Sequence, residues 1–448
     1  MSHIAVYTVS LGCPKNLVDT EKMLGLLGEV YTPAQSLEEA DLVLINTCSF
    51  IQPAVEESVQ TILDIAYDIN TLEPGPPLVV TGCLPARYGA ELVRELPEVD
   101  LWLDFSEQPD WLAKLSRLLQ DRSEQARLST GLDRAGQEAL EKGRIQSTPA
   151  GTAYLKISEG CRHQCSFCLI PSIRGRLRSF PRQQLRREAS LLVRSGVREL
   201  CLVAQDVTAY GLDHGGRSEL QGLLTDLAGL DSLDWLRLMY LYPSGVTSQL
   251  LQFLKDLGPP FLPYFDVPLQ HAHPDILKRM GRPFAGNPWK TVELIRSFFP
   301  EASLRTSLIV GYPGETEAHF RRLKEFVSQV GFDHLGVFGF CPEEGTAAAA
   351  MPDQVDEELI NRRRDEIMAL QAEISRESLA GCRGRELDVL VERPDPEWPT
   401  LYQGRSWFQA PEIDGITYVS GYDLKPGDMV RTRIDDSTDH DLSGLAEL

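Results

Sequence analysis

No stretch of about eighteen consecutive apolar residues occurs in the 448-residue chain, so no membrane-spanning helix is expected. The N-terminus, Met1–Val9, already reads as a strand, and no secretory signal is seen. Positive charge is scarce: 44 Lys and Arg stand against 65 Asp and Glu, a net −21. Proteins that bind nucleic acid nonspecifically do so by neutralising phosphates with Lys and Arg. This balance therefore leans away from such a partner and towards a basic one. Nine cysteines without a signal point to a reducing cytoplasm and to metal or catalytic use, not disulfides. The remaining composition, 42% hydrophobic and 24% charged, is that of a globular protein with ample core, and the length implies two or three domains.

Cys161-Arg162-His163-Gln164-Cys165-Ser166-Phe167-Cys168 is a C-x3-C-x2-C triplet. Three thiolates can hold a four-iron cubane cluster, which leaves one iron open to a substrate or cofactor. A structural zinc site needs four ligands, so the triplet suits zinc poorly unless His163 supplies the fourth. The spacing, with an aromatic before the last cysteine, resembles the radical S-adenosylmethionine (SAM) enzymes. That likeness implies that the open iron chelates the amino and carboxyl groups of SAM.

Three further cysteines are evenly placed. Cys13, Cys48 and Cys83 are separated by 35 residues each time, and each follows a strand pattern: Ile4–Leu11, Asp41–Asn46 and Leu78–Thr81. Helical patterns at Asn16–Leu27, Ala54–Ile69 and Ala86–Leu96 intervene. This β-α alternation predicts a parallel sheet whose carboxyl-terminal edge carries all three cysteines, the edge where open α/β sheets bind ligands. Alone, each would read as a small buried hydrophobe; the repeated placement favours a shared metal site. Gly12-Cys13-Pro14-Lys15-Asn16, Asn46-Thr47-Cys48-Ser49-Phe50 and Thr81-Gly82-Cys83-Leu84 resemble the three cysteine signatures of the methylthiotransferases. The Gly-Cys-Pro-Lys-Asn form resembles the RimO type, which modifies an aspartate of the small-subunit ribosomal protein uS12. The sister MiaB type, which acts on a tRNA adenosine, usually has a different pair after that cysteine.

From Thr152 six strand patterns recur, at Ala153–Ile157, Glu199–Ala204, Leu236–Tyr242, Tyr264–Pro268, Arg305–Val310 and His334–Phe340. Helical patterns separate them at Arg182–Ser195, Leu220–Leu227, Ser248–Leu257, Trp289–Phe298 and Ala318–Val330. Six units are too few to close as the eight-unit barrel does, so a partial (β/α)6 barrel is expected, with the cysteine loop at its carboxyl-terminal rim. On that rim Gln205 and Asp206 are candidates for hydrogen bonds to SAM. The run Ser307–Glu315 resembles the family's adenine-side motif, in which Gly311, Gly314 and Glu315 would contact SAM; a plain tight turn is the equal alternative for the glycines. Arg174, Arg176 and Arg178 lie nearest the triplet in sequence and would pair a carboxylate of SAM or substrate, whereas Arg182, Arg186, Arg187 and Arg194 read as a solvated helix face. His271 and His273 read as packing or substrate contacts, and Cys201, Cys341 and Cys382 as ordinary thiols.

Residues from about Phe105 to Pro149, rich in charge at Gln120–Arg134 and Glu138–Arg144, read as a solvated helix or linker. After a charged helix at Glu358–Arg376, the tail breaks into short strands such as Leu387–Val391, Thr417–Val419 and Met429–Arg433, which predicts a small β-barrel resembling a TRAM domain. Residues 383–448 hold seven Lys and Arg against fourteen Asp and Glu, a net −7, which suits a basic protein better than RNA.

The expected fold class is thus α/β in three domains and a linker: an N-terminal parallel-sheet domain (1–120), a linker (121–150), a radical SAM core (151–380) and a TRAM-like β-barrel (383–448). The resemblance implies a cytoplasmic transferase with two [4Fe-4S] clusters, one on Cys161, Cys165 and Cys168 and one on Cys13, Cys48 and Cys83, with SAM as both methyl donor and radical source. It implies uS12, free or within the subunit, as substrate, and an electron donor such as flavodoxin or ferredoxin; tRNA is disfavoured. Two other readings stand beside it: a tRNA adenosine methylthiotransferase, and a non-catalytic iron–sulfur or zinc scaffold that binds ribosomes.

Overall fold

Leu42–Thr47 (β3) is an apolar run closing on Asn and Thr, and the computed structural model makes it a strand buried at every position. The structure describes residues 3–105, 107, 110–121, 144–282 and 287–447, so most of the expected linker lies outside the described residues. The chain divides into two units, Met1–Ser147 with Leu169–Arg176, and Thr148–Cys168 with Leu177–Leu448.

In the first unit β3 is flanked by β1 (Ile4–Ser10), β2 (Tyr31–Pro33), β4 (Leu78–Gly82) and β5 (Leu101–Leu103), in the order β2-β1-β3-β4-β5, every pair parallel. Helices α1 (Pro14–Gly25), α2 (Gln52–Ile69), α3 (Cys83–Tyr88), α4 (Ala90–Glu95) and α5 (Trp111–Asp121) complete it. Alternate strand residues feed opposite faces. Leu42 and Leu44 pack with Met23, Leu24, Trp111 and Leu115, while Val43, Ile45 and Val80 pack with Val55, Ile62, Leu84 and Leu92. Helix α2 turns Val55, Ser58, Ile62 and Ala66 inward at helical spacing. The single helix expected over Ala86–Leu96 is instead two short ones. Gly89, at φ 54° and ψ −131°, breaks it in a conformation other residues avoid.

In the second unit six strands, β6 (Thr152–Lys156), β9 (Glu199–Val203), β10 (Trp235–Leu238), β11 (Phe261–Asp266), β12 (Ser303–Val310) and β13 (His334–Gly339), lie side by side in chain order as an open sheet. A two-stranded hairpin, β7 (Ser158–Glu159) with β8 (Arg178–Ser179), flanks the cysteine loop. The connecting helices bury Leu185, Leu192, Leu223, Leu227, Leu251 and Phe326 against Leu155, Leu202, Leu238 and Leu308 of the sheet. The helix Glu357–Ala380 leads into a closed barrel, β14 (Glu386–Pro394), β15 (Leu401–Ser406), β16 (Thr417–Ser420), β17 (Met429–Ser437) and β18 (Leu442–Ala446), ordered β14-β15-β16-β18-β17.

Candidate functional site

Cys13 caps the start of α1 just after β1, Cys48 follows β3 directly, and Cys83 is the first residue of α3 after β4. Since β1, β3 and β4 are parallel neighbours, the first unit brings these three cysteines to one sheet edge. Two glycines keep that edge narrow. A Cβ on Gly12 (φ 88°) would lie 2.7 Å from Cys48 Cβ and 3.0 Å from its Sγ. One on Gly82 (φ 106°) would lie 2.3 Å from Asn46 Oδ1.

A polar lattice holds the strand ends together. Asn16 Nδ2 donates to the carbonyls of Leu11 and Thr47, both at 2.9 Å. Asn46 Nδ2 donates to Asn16 O at 2.8 Å and Thr20 Oγ1 at 2.9 Å. Ser58 Oγ accepts from Cys48 N at 3.1 Å and donates to Cys48 O at 2.7 Å. Burial alone would raise the Cys13 thiol, but Lys15, Arg174 and two backbone N–H groups outweigh it and hold it below its ordinary value. Burial pushes Cys48 up to about 11, helped by the neighbouring Cys83 and Cys13 and opposed by the Phe50 N–H. Arg174 is buried in this unit, pairs with Asp19 at 2.9 Å, and reaches Cys83 Sγ at 3.4 Å. The carboxylate it meets is therefore the chain's own. Arg176, in the same segment, is exposed.

The second unit carries Cys161, Cys165 and Cys168 on the loop beyond β6 and β7. His163 Nε2 lies 2.7 Å from Asp206 Oδ2, and its ring stacks on Tyr242 at 3.6 Å with 9° between planes. Asp206 Oδ1 accepts from Thr208 N at 2.9 Å, which fixes its carboxylate. Ser166 Oγ meets the Tyr312 hydroxyl at 2.7 Å, and Ser166 N donates to Met280 O at 3.0 Å. Gly281, at φ 73°, lets that chain pass; a Cβ there would sit 2.7 Å from Gln164 O. Arg282 Nη1 lies 3.7 Å from Cys165 Sγ, with its guanidinium over the Tyr242 ring at 4.4 Å. Burial raises the Cys161 thiol to about 11, with the His163 N–H opposing and Asp206 and Cys165 adding.

Of the SAM candidates, Gln205 Nε2 donates to Glu159 Oε1 at 2.8 Å while its Oε1 is buried with no partner among the described residues. That orphaned acceptor on the strand-end rim fits a ligand with an ammonium group. Glu315 is engaged internally: its carboxylate meets Arg363 Nη1 at 2.8 Å, Gly311 N at 3.1 Å and His271 Nε2 at 3.3 Å. A Cβ on Gly311 would meet Ile360 at 2.2 Å, and one on Gly314 would meet Arg279 at 2.6 Å. His273 caps the helix Pro274–Arg279 through Nδ1, which accepts from Asp275 N at 3.2 Å. His273, Asp275 and His319 bring one ligand atom each within 4.8 Å, but His319 Nδ1 also accepts a backbone N–H, from Thr316 at 3.1 Å. His273 and His319 thus serve as helix-capping side chains. Sequence reading missed Arg282 and Tyr242, which lie far along the chain from the triplet they touch.

Family models match three segments: one described as Uncharacterized protein family UPF0004 over residues 5–104, the Radical SAM superfamily over 155–327, and the TRAM domain over 384–446. The chain is 54% identical over 444 residues to the ribosomal protein uS12 methylthiotransferase RimO of Nitratidesulfovibrio vulgaris, covering 99% of this chain and 100% of that one. It is 46% identical to the protein of the same name from Geobacter sulfurreducens, covering 98% of each. Among solved structures, the radical SAM methyltransferase TsrM from Kitasatospora setae shares the fold at TM-score 0.53 and 13% identity, over 92% of this chain and 80% of that one.

Proposed function

The chain belongs to the RimO family of ribosomal protein uS12 methylthiotransferases, and from that premise we propose that it places a methylthio group on the β-carbon of an aspartate of uS12, using SAM and two [4Fe-4S] clusters. It is a SAM-dependent transferase of the radical SAM superfamily. The observation that carries the two-cluster reading is the gathering of Cys13, Cys48 and Cys83 at the ends of three adjacent parallel strands, separate from the triplet that the radical chemistry uses.

Cys161, Cys165 and Cys168 would hold one cluster, and Cys13, Cys48 and Cys83 the other. A cluster held by Cys161, Cys165 and Cys168 would supply the one-electron chemistry on SAM that an unactivated C–H bond requires and that acid–base side chains cannot provide. The chain's own residues shape that site. Asp206 and Tyr242 pin His163 and with it the cysteine loop. Arg282 sets a cation beside Cys165. Gln205 offers its Oε1, which has no partner among the described residues, to the SAM amino group. The acidic C-terminal barrel supports a basic protein substrate over tRNA. The family matches support the division at 1–120, 151–380 and 383–448 with 121–150 as linker. An electron donor such as flavodoxin or ferredoxin and a cytoplasmic setting complete the reading; no described helix is long and apolar enough to cross a membrane.

The test is mass analysis of a uS12 peptide after anaerobic reaction with reconstituted enzyme, wild type and Cys48→Ala. Wild type should convert the aspartate and Cys48→Ala should not, yet still cleave SAM. Full product from Cys48→Ala would end the two-cluster reading, and product on tRNA adenosine instead of uS12 would reassign the substrate.

A further inference from the structure

The segment Leu169–Arg176, which follows Cys168 in the chain, folds as part of the first unit. Leu169 and Ile173 pack there with Cys83, Ala86 and Phe105. Arg174 extends from this segment into the cysteine edge, and its side chain is 2% exposed. Nη1 donates to Asp19 Oδ2 at 2.9 Å. Nη2 donates to Asn16 Oδ1 and, at 3.4 Å, to Cys83 Sγ. The guanidinium carbon sits 3.7 Å from the centre of the Phe105 ring, which fixes its plane.

A buried cation must be compensated, and Asp19 does that. Compensation alone would not require the second arm of the fork to point at a thiol. We propose that Arg174 is a positioning residue for the metal centre of the first unit: it orients Cys83 and donates a hydrogen bond and a positive charge to the sulfur that ligates the cluster. The proposal rests on the reading that Cys13, Cys48 and Cys83 hold a [4Fe-4S] cluster. Such a cluster takes one electron from a low-potential reductant, gaining one negative charge and no atom. A fixed N–H donor and cation at its sulfur favour that reduced state and raise the potential. Only the planar, two-armed arginine reaches Asp19 and Cys83 together, so lysine replaces the charge and loses the bridge.

The experiment uses the full chain carrying Cys161→Ala/Cys165→Ala/Cys168→Ala, so that only the first unit's centre is observed. Iron is measured after anaerobic reconstitution, and the reduced fraction is then followed by electron paramagnetic resonance during dithionite titration with mediators. Adding Arg174→Met should leave the iron bound and lower the reduced-to-oxidised ratio at fixed potential about tenfold, a shift of about 59 mV for one electron. Arg174→Lys should fall between the two. Asp19→Asn/Arg174→Met leaves no unpaired buried carboxylate and carries the test if Arg174→Met does not fold; its midpoint should also lie below the parent's, since the lost cation touches the sulfur and the lost anion does not. No iron in the parent overturns the cluster reading and this proposal with it. Iron present, with the midpoint of Arg174→Met or of the double variant at or above the parent value, overturns the proposal alone.

Discussion

Arg405 of the β-barrel and Glu199 of the six-stranded sheet form a buried ion pair, with Nη2 2.6 Å from Oε2 and side chains 1% and 0% exposed. Arg405 also reaches Glu392 at 2.6 Å, Thr152 Oγ1 at 2.9 Å and Gln409 O at 2.8 Å, while Glu199 takes Arg237 at 2.7 Å on its other oxygen. Removing one member of such a group strands the others without water. Arg405→Met should therefore destabilise the second unit by about 3–5 kcal/mol. Calorimetry would read this as a lowered transition, and an unchanged transition would show that the barrel docks by apolar contact alone.

The same pair makes acid tolerance predictable. Burial would raise the Glu199 carboxyl, but Arg405 and Arg237 outweigh it and hold it at about 2. Its folded value lies below the unfolded carboxyl value of about 4.3. The associated stability, about 3 kcal/mol, is thus complete above that value and lost as pH falls towards 2. Proteolysis of the barrel junction should accelerate over that window in wild type. In Glu199→Gln the acceleration should be weaker; an identical pH profile in both would rule Glu199 out as the titrating group.

Gln205→Leu should keep its iron and lose SAM affinity by about tenfold, the size of one hydrogen bond to a charged donor. Equilibrium binding of SAM to anaerobically reconstituted protein measures it. Unchanged affinity would assign Gln205 to the support of Glu159 alone, to which its amide already donates.

Gly82→Ala should disturb the first unit's cysteines without touching any of them. The added Cβ would fall 2.4 Å from Thr47 O and 2.6 Å from Thr47 N, on a backbone with φ 106°. Strand end and Cys83 must then separate. Iron retained by a Cys161→Ala/Cys165→Ala/Cys168→Ala background should fall by more than half when Gly82→Ala is added. Full retention would mean that the edge tolerates spreading.

How far the sequence was legible depended on the range of the signal. Buried parallel strands such as Leu42–Thr47 announce themselves as apolar runs, and all six strands of the open sheet stood within a few residues of their expected places. Tyr31–Pro33 and Leu101–Leu103 are three-residue edge strands, too short to show a period. Leu401–Ser406 and Leu442–Ala446 contain glycine and polar residues that mask alternation. Cysteine spacing exposed both triplets. Their long-range partners were hidden: Arg282 meets Cys165 across 117 positions, and Arg174, expected to pair a carboxylate of SAM or substrate, meets Asp19 across 155. No local pattern encodes a contact of that range.

The two cysteine sets differ in when they can exist during synthesis. Cys161–Cys168 occupies eight residues of one loop, so its three thiols stay close even in an unfolded chain. Cys13–Cys83 spans seventy positions and converges only after three strands have paired. Closing the longer span costs about 2 kcal/mol more in chain entropy. On the two-cluster reading, metal delivery to the first unit would therefore wait on a folded sheet, whereas the loop of the second could be loaded as soon as it leaves the ribosome.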